Sequence, residues 1–152
     1  MERCSLRIPI RFVDASGQPT DDHIYGWPVV DVEVEVGFQP PADDNEMFVP
    51  KFKRIQAVID TGADETVVSH RLAAGAPILH VAKSHSMLGA GYTDVHQALI
   101  LIVGDESPTS LQVGVAPLKS MEMVLGRNLM SKFKLVLDWP TRSYYLEKPT
   151  AA

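Results

Sequence analysis

A single cysteine, Cys4, stands among 152 residues. No internal disulfide can form, and the place of Cys4 near the terminus suggests no catalytic role. There is no basic cluster: Lys and Arg number 14 against 19 Asp and Glu, a formal net charge of −5. That balance offers nothing to hold a phosphate backbone, so no nucleic-acid partner is expected. No apolar run reaches membrane-spanning length. The opening MERCSLRIPIRF interleaves charges with apolar residues and does not read as a signal peptide. No membrane partner is expected, and a cytoplasmic setting is. The five histidines, His23, His70, His80, His85 and His96, have no cysteine beside them and no HExxH spacing. They are expected as surface or loop residues, with no metal. No internal repeat or low-complexity segment appears.

What is present is a set of short apolar runs punctuated by Pro and Gly, within the size of one domain over residues 1–152. Ile8–Val13 and Val29–Val36 alternate apolar with polar residues, the period of a strand with one wet face. Val32, Val34 and Val36 are expected inward, and Asp31, Glu33 and Glu35 outward. Gly37–Pro50 is loop by composition. Phe52–Ile59 reads as a strand that becomes fully apolar at Ala57-Val58-Ile59, as a central strand does. Thr66–Ser69 returns to β character, and His70–Ala76 allows a short helical turn. Gly89-Ala90-Gly91 lies mid-way in Ser84–His96, where two glycines would supply the positive φ of a tight hairpin. Val95–Val103 and Ser110–Ala116 are further strands. Val124–Phe133 is the best helix candidate. Leu135–Trp139 and Ser143–Leu146 flank Pro140-Thr141-Arg142 as a closing hairpin. The sum is a mostly β chain with one short helix.

One stretch does not fit this plain reading. In QAVIDTGADETVVSH, Gln56–His70, a run of buried character ends on Asp60 and then Thr-Gly-Ala. Asp60 is either a turn residue or a carboxylate held at the edge of the core for chemistry. A carboxylate there loses solvent and needs nearby backbone donors. Gly62 lets the backbone fold back towards it, Ala63 keeps the space clear, and Thr61 adds a hydroxyl. Two such carboxylates close together cannot both ionise cheaply. They share a proton, one acting as base on a water and the other as acid on a carbonyl.

Ile59-Asp60-Thr61-Gly62-Ala63-Asp64 resembles the active-site signature of the retropepsin-like aspartic proteases, the group that includes the retroviral enzymes. A triplet alone is a weak signal, but three features follow it in order. Thr66-Val67-Val68-Ser69 succeeds the loop. A Gly-rich hairpin, Met87–Thr93, stands where that family carries its flap. Val124-Leu125-Gly126-Arg127-Asn128-Leu129 is similar to the family's second signature. The resemblance covers about residues 29–139, in which Val124-Leu125 would be a buried strand near the loop and Gly126 a sharp strand-to-helix turn.

The resemblance implies a closed retropepsin-like β-barrel with a flap hairpin and one short C-terminal helix. It implies an aspartic endopeptidase with Asp60 as the catalytic residue and no cofactor. Thr61, Gly62, Ala63 and Asp64 would support the loop. Arg127 would brace it by pairing with Asp64; otherwise Arg127 is a solvated helix-start arginine. Leu88, Gly89, Ala90, Gly91 and Tyr92 would form the flap over an extended peptide or protein substrate, although Tyr92 reads equally as a strand residue covering the core. No second Asp-Thr-Gly or Asp-Ser-Gly occurs, so the resemblance implies a homodimer with one Asp60 from each copy.

Residues 3–28 and the loop Gly37–Pro50 exceed the retroviral pattern, and the C-terminal LVLDWPTRSYYLEKP is more like cellular and bacterial single-domain relatives. Two other classes compete. One is a catalytically inactive retropepsin fold that dimerises and binds peptides. The other is an aspartyl phosphotransferase, which would need further acidic metal ligands and an α/β pattern that this chain does not show.

Overall fold

The computed structural model describes residues 5–39, 49–86 and 89–149. Among them are eleven strands and two one-turn helices. In chain order these are β1 (Ser5–Pro9), β2 (Arg11–Val13), β3 (Trp27–Val36), β4 (Lys53–Ile59), β5 (Val67–Ser69), α1 (His70–Ala73) and β6 (His80–Ser86). There follow β7 (Gly89–Ile102), β8 (Thr109–Ala116), β9 (Met123–Leu125), α2 (Arg127–Met130), β10 (Lys134–Asp138) and β11 (Ser143–Pro149).

Six strands close on themselves in the order β3-β4-β9-β5-β8-β7, and β7 returns to pair with β3. The β4–β9 and β5–β8 contacts are parallel and the other four antiparallel. Closure removes the exposed sheet edges that an open β layer must otherwise protect. The chain is thus mostly β, built on a closed barrel. The alternation in β3 explains its place: Val30, Val32 and Val34 are buried, while Asp31, Glu33 and Glu35 are partly exposed. Ala57, Ile59, Val68, Ile100, Val113 and Leu125 complete the barrel core.

Strand β2 extends the barrel sheet beyond β3, and β6 extends it beyond β7. A separate sheet, in the order β1-β11-β10, packs Leu146 into the same core. The two sheets are tied by the side chains of Lys148 and Asp105, 2.5 Å apart, with the Asp105 carboxylate almost wholly buried.

Four expectations need correction. Ile8–Val13 is two strands, not one. Pro9 has no N–H to continue a ladder, Ile10 donates instead to the Tyr144 carbonyl at 3.1 Å, and the chain passes from one sheet to the other. The Val124–Phe133 helix shrinks to Arg127–Met130. Val124 and Leu125 belong to β9, and after Met130 the N–H groups of Lys132 and Phe133 bond three residues back, to Leu129 and Met130. The apolar, β-prone KLVLD run then draws the chain into β10. This turn is not the only helical one, since α1 precedes it, and it is not C-terminal, since the β10–β11 hairpin follows. Finally, Gly89-Ala90-Gly91 does not form the hairpin turn. All three lie in β7, Ala90 opposite His85 and Gly91 opposite Ser84. Ser86 pairs with Gly89, so the connection falls at 87–88, outside the described residues. Gly91 has extended rather than positive φ.

Candidate active site

Asp60 follows directly on β4. Its backbone N–H donates to the Leu125 carbonyl at 3.0 Å, which carries the parallel β4–β9 pairing one residue past the strand end. The Ala63 N–H returns to the Asp60 carbonyl at 3.2 Å and closes the turn. The Gly62 N–H donates to Asp60 Oδ1 at 2.9 Å, and a Cβ built on Gly62 would stand 3.1 Å from that oxygen. One carboxylate oxygen is therefore held by the backbone, in a space that suits a residue without a side chain. Asp60, Thr61, Gly62 and Asp64 are exposed in the single chain, and Ala63 is half-buried.

The loop is fastened to α2 from beneath. The N–H groups of Arg127 and Asn128 donate to the carbonyls of Ala63 and Asp64 at 2.8 and 3.1 Å. Arg127 also forms a salt bridge with Asp64, with both side chains mostly exposed. An exposed ion pair contributes little by itself; the two backbone bonds carry more of the constraint.

Two positioning residues were not singled out from sequence. Thr66 is fully buried, and its N–H and hydroxyl both donate to Asn128 Oδ1, at 3.0 and 2.8 Å. The Thr66 hydroxyl oxygen in turn accepts from the Gly126 N–H at 3.1 Å. The Thr66 carbonyl accepts from the Gly114 N–H in β8 at 3.2 Å. A polar residue opening an apolar run, and an asparagine at the start of a helix, were the available signals. Neither says that the two meet.

Gly126 has a different reason for being glycine than a sharp turn requires. Its φ is −90°, open to any residue. A Cβ there would stand 2.4 Å from the carbonyl carbon and oxygen of Glu65. The absent side chain is what lets α2 approach the Asp60 loop. Val124 and Leu125, just before it, are buried in β9 between β4 and β5.

The β6–β7 hairpin is anchored near the loop through Thr93, whose hydroxyl donates to the Val115 carbonyl at 2.8 Å and accepts from the Val115 N–H at 3.1 Å. Val115 lies in β8, which pairs with β5, the strand after the Asp60 loop. Tyr92 is 78% exposed and covers no core. Leu88 lies outside the described residues. A pocket of about 320 Å³ opens beside β4, lined by Trp27, Val29, Val58, Met121, Lys53 and Glu122 among others. Val58 and Asp60 are two positions apart, about 7 Å along an extended strand. Among the described residues no group of three or more His, Cys, Asp or Glu could hold a metal ion, and no helix is long and apolar enough to cross a membrane.

A closed six-stranded barrel carrying an Asp-Thr-Gly loop between β4 and β5, locked against a Gly-Arg-Asn turn, defines the retropepsin-like fold. The family model described as retroviral aspartyl protease matches residues 27–138, and the chain belongs to that family. Among solved structures, a retropepsin-like aspartic protease from Rickettsia conorii is similar with a TM-score of 0.58 and 14% identity, over 99% of this chain and 98% of the other. The simian foamy virus (mac) protease has a TM-score of 0.44 and 16% identity, over 64% of this chain and 88% of the other. A foamy viral protease–reverse transcriptase, solved in complex with an RNA/DNA hybrid, has a TM-score of 0.49 and 14% identity, over 74% of this chain and 14% of the other. No curated protein sequence matches the chain.

Proposed function

We propose that the protein is an aspartic endopeptidase, in which Asp60 from each of two copies shares one water and hydrolyses a peptide bond. The observation that supports this best is the state of Asp60. It is fixed by the Gly62 N–H at 2.9 Å, yet exposed in the single chain, on a loop that α2 holds by two backbone bonds. A turn aspartate needs no such foundation; a general base needs a fixed position and an open face.

In this mechanism the ionised member of the pair takes a proton from the water as its oxygen attacks the scissile carbonyl carbon. The protonated member gives its proton to the carbonyl oxygen. The tetrahedral adduct then collapses: one hydroxyl returns its proton to the carboxylate that protonated the carbonyl, so the C=O re-forms, the C–N bond breaks, and the leaving nitrogen receives the proton taken from the water. Thr61, Gly62, Ala63, Asp64 and Arg127 position the carboxylate. The β6–β7 hairpin, with Leu88, Gly89, Ala90, Gly91 and Tyr92, closes over an extended peptide and limits bulk water. The pocket walled by Val58, Trp27 and Met121 receives a side chain of that peptide, a reading supported by Val58 standing two residues before Asp60 at the end of β4.

The test is cleavage of a mixed peptide library from acid to neutral pH by the wild type and by Asp60→Asn. Activity should be highest on the acid side, because rising pH removes the shared proton, and the variant should be inert. Cleavage that survives Asp60→Asn removes Asp60 from the chemistry. A stable wild-type dimer that cuts nothing points instead to a peptide-binding module.

A further inference from the structure

We propose that the turn at residues 14–18, between β2 and β3, is a fixed wall of the pocket beside β4, and that Gln56 holds it in place and so sets which substrate side chains the pocket admits. This rests on the reading above that the pocket receives a side chain of the peptide.

The pocket lies on the outer face of three neighbouring strands. Phe12, Val30, Ile55 and Ala57 point into the core. Their chain neighbours in β2, β3 and β4 therefore share the opposite face. That face changes character along its length. Val13, Trp27, Val29 and Val58 stand at the end nearer Asp60 and form the apolar floor of the pocket. Asp31, Gln56 and Arg54 stand at the other end. Arg11 reaches in to them, and its Nη2 donates to Asp31 Oδ1 at 2.9 Å. Gln56 and Gly17, both in the pocket lining, mark the border between the two halves.

The turn is rigid in itself. The Asp14 N–H donates to the Gln18 carbonyl at 2.8 Å, and the Gly17 N–H returns to the Asp14 carbonyl at 2.9 Å. Asp14 Oδ1 accepts the Ser16 N–H, the Ser16 hydroxyl and the Gln18 N–H, at 2.9, 2.7 and 3.0 Å. Val13 bridges to Pro19 at the base. Gly17 has a φ of +84°, a conformation that favours glycine.

A rigid turn still swings on its base unless it is tied farther out, and Gln56 ties it. Gln56 Nε2 donates to the Gly17 carbonyl at 3.3 Å, while Gln56 Oε1 accepts from Arg11 Nη2 at 3.2 Å. A guanidinium only donates and a carbonyl only accepts, so the amide has one orientation. Asp31 holds Arg11, Arg11 orients Gln56, and Gln56 places Gly17. A wall set before the peptide arrives needs no ordering on binding, so the pocket selects more sharply by size. Gln56 is a positioning residue in this arrangement: it acts through Gly17.

The experiment runs the mixed peptide library on wild type, Gln56→Glu and Asp14→Ala. Gln56→Glu keeps the length and the acceptor for Arg11 but loses the donor for Gly17. Asp14→Ala leaves Gln56 alone and removes the acceptor that shapes the turn. Both residues are exposed, so both variants should fold. In each, the preference for large over small apolar residues near the cut site should fall about tenfold, through KM rather than kcat. A second measurement does not depend on cleavage. Amide hydrogen exchange at residues 16–18 should be about fivefold faster in both variants. Unchanged exchange in Gln56→Glu overturns the tie. Faster exchange with the preference intact, or a loss that falls on kcat with KM held, overturns the wall and leaves the protease reading standing. A wild type that cuts nothing removes the protease reading, and the library peptides it retains then judge the wall. Weaker selection of large apolar residues by Gln56→Glu upholds it; unaltered selection, or no retention by the wild type, overturns it.

Discussion

Asn128 Oδ1 receives both the backbone N–H and the hydroxyl of Thr66, at 3.0 and 2.8 Å. One amide oxygen, at the start of a single helical turn, thus satisfies two donors of a fully buried residue at the end of the Asp60 loop. Asn128→Ala leaves both donors unpaired, at a cost of about 1–3 kcal/mol. Urea unfolding measures this. Asn128→Asp keeps the acceptor and should recover most of the loss. Equal destabilisation by both would mean that Asn128 does not act through this oxygen.

Gly126 and Gly91 make opposite predictions for the same change. A methyl group at Gly126 meets the Glu65 carbonyl at 2.4 Å, and this is backbone that cannot swing aside. Gly126→Ala should cost about 3 kcal/mol or abolish folding. Nothing lies within 4 Å of a Cβ at Gly91, and Gly91→Ala should change stability by no more than about 0.5 kcal/mol. Thermal melts of the two variants decide it. A well-folded Gly126→Ala protein would show that the α2 contact is looser than its geometry.

Asp31 on β3 receives Arg11 Nη2 at 2.9 Å and Arg54 Nη2 at 3.1 Å. The Arg11 hydrogen bond foremost, and then that of Arg54, hold its carboxyl below the ordinary carboxylate range, against the opposing effect of partial burial. A carboxyl so lowered adds stability above its unfolded pKa of about 4, and that stability is lost as pH falls through the lower folded value. Asp31→Asn should therefore be less stable than wild type near pH 6, by about 1 kcal/mol at most for pairs this exposed. The gap should narrow below about pH 4, as urea unfolding at the two pH values will report. A gap that widens in acid contradicts the pairing.

The pocket beside Val58 predicts selectivity. With Trp27 and Met121 in its walls, Met121→Ala should raise KM for peptides with a large apolar residue near the cut site, by about tenfold. KM for small-residue peptides should move little. A uniform change across the library would place this pocket outside the substrate path.

Much of the fold was legible because it depends on near neighbours. The alternation of Val30, Val32 and Val34 with Asp31, Glu33 and Glu35 needs only the period of a strand. The KLVLD and SYYLEKP runs declare their hairpin by β-prone residues on either side of a proline turn, again a matter of near neighbours. Where the reading failed, the missing information was distant in the chain. Ile8–Val13 looked continuous because nothing nearby says that Ile10 donates to Tyr144, which sits in another sheet. The Gly89–Gly91 run looked like a turn because glycine permits one, yet here glycine only leaves an extended strand without side chains. At the site, Asp60, Gly62 and Arg127 could be picked out from the order of two short signatures. Thr66 and Asn128 could not, since each is an ordinary polar residue until the other is beside it.

By itself the sequence determined the local periods, the strand-loop-strand around Asp60, and the single Asp-Thr-Gly signature. These follow from side-chain pattern and backbone preference, which act over a few residues. Only the tertiary structure decided that β7 closes the barrel on β3, that Gly126 must admit the Glu65 backbone, that Thr66 hangs from Asn128, and that β10 is left with an open edge. Each of those depends on which segments, tens of residues apart, come within van der Waals or hydrogen-bond reach. That is settled by burying one common core, and no short stretch of sequence contains it.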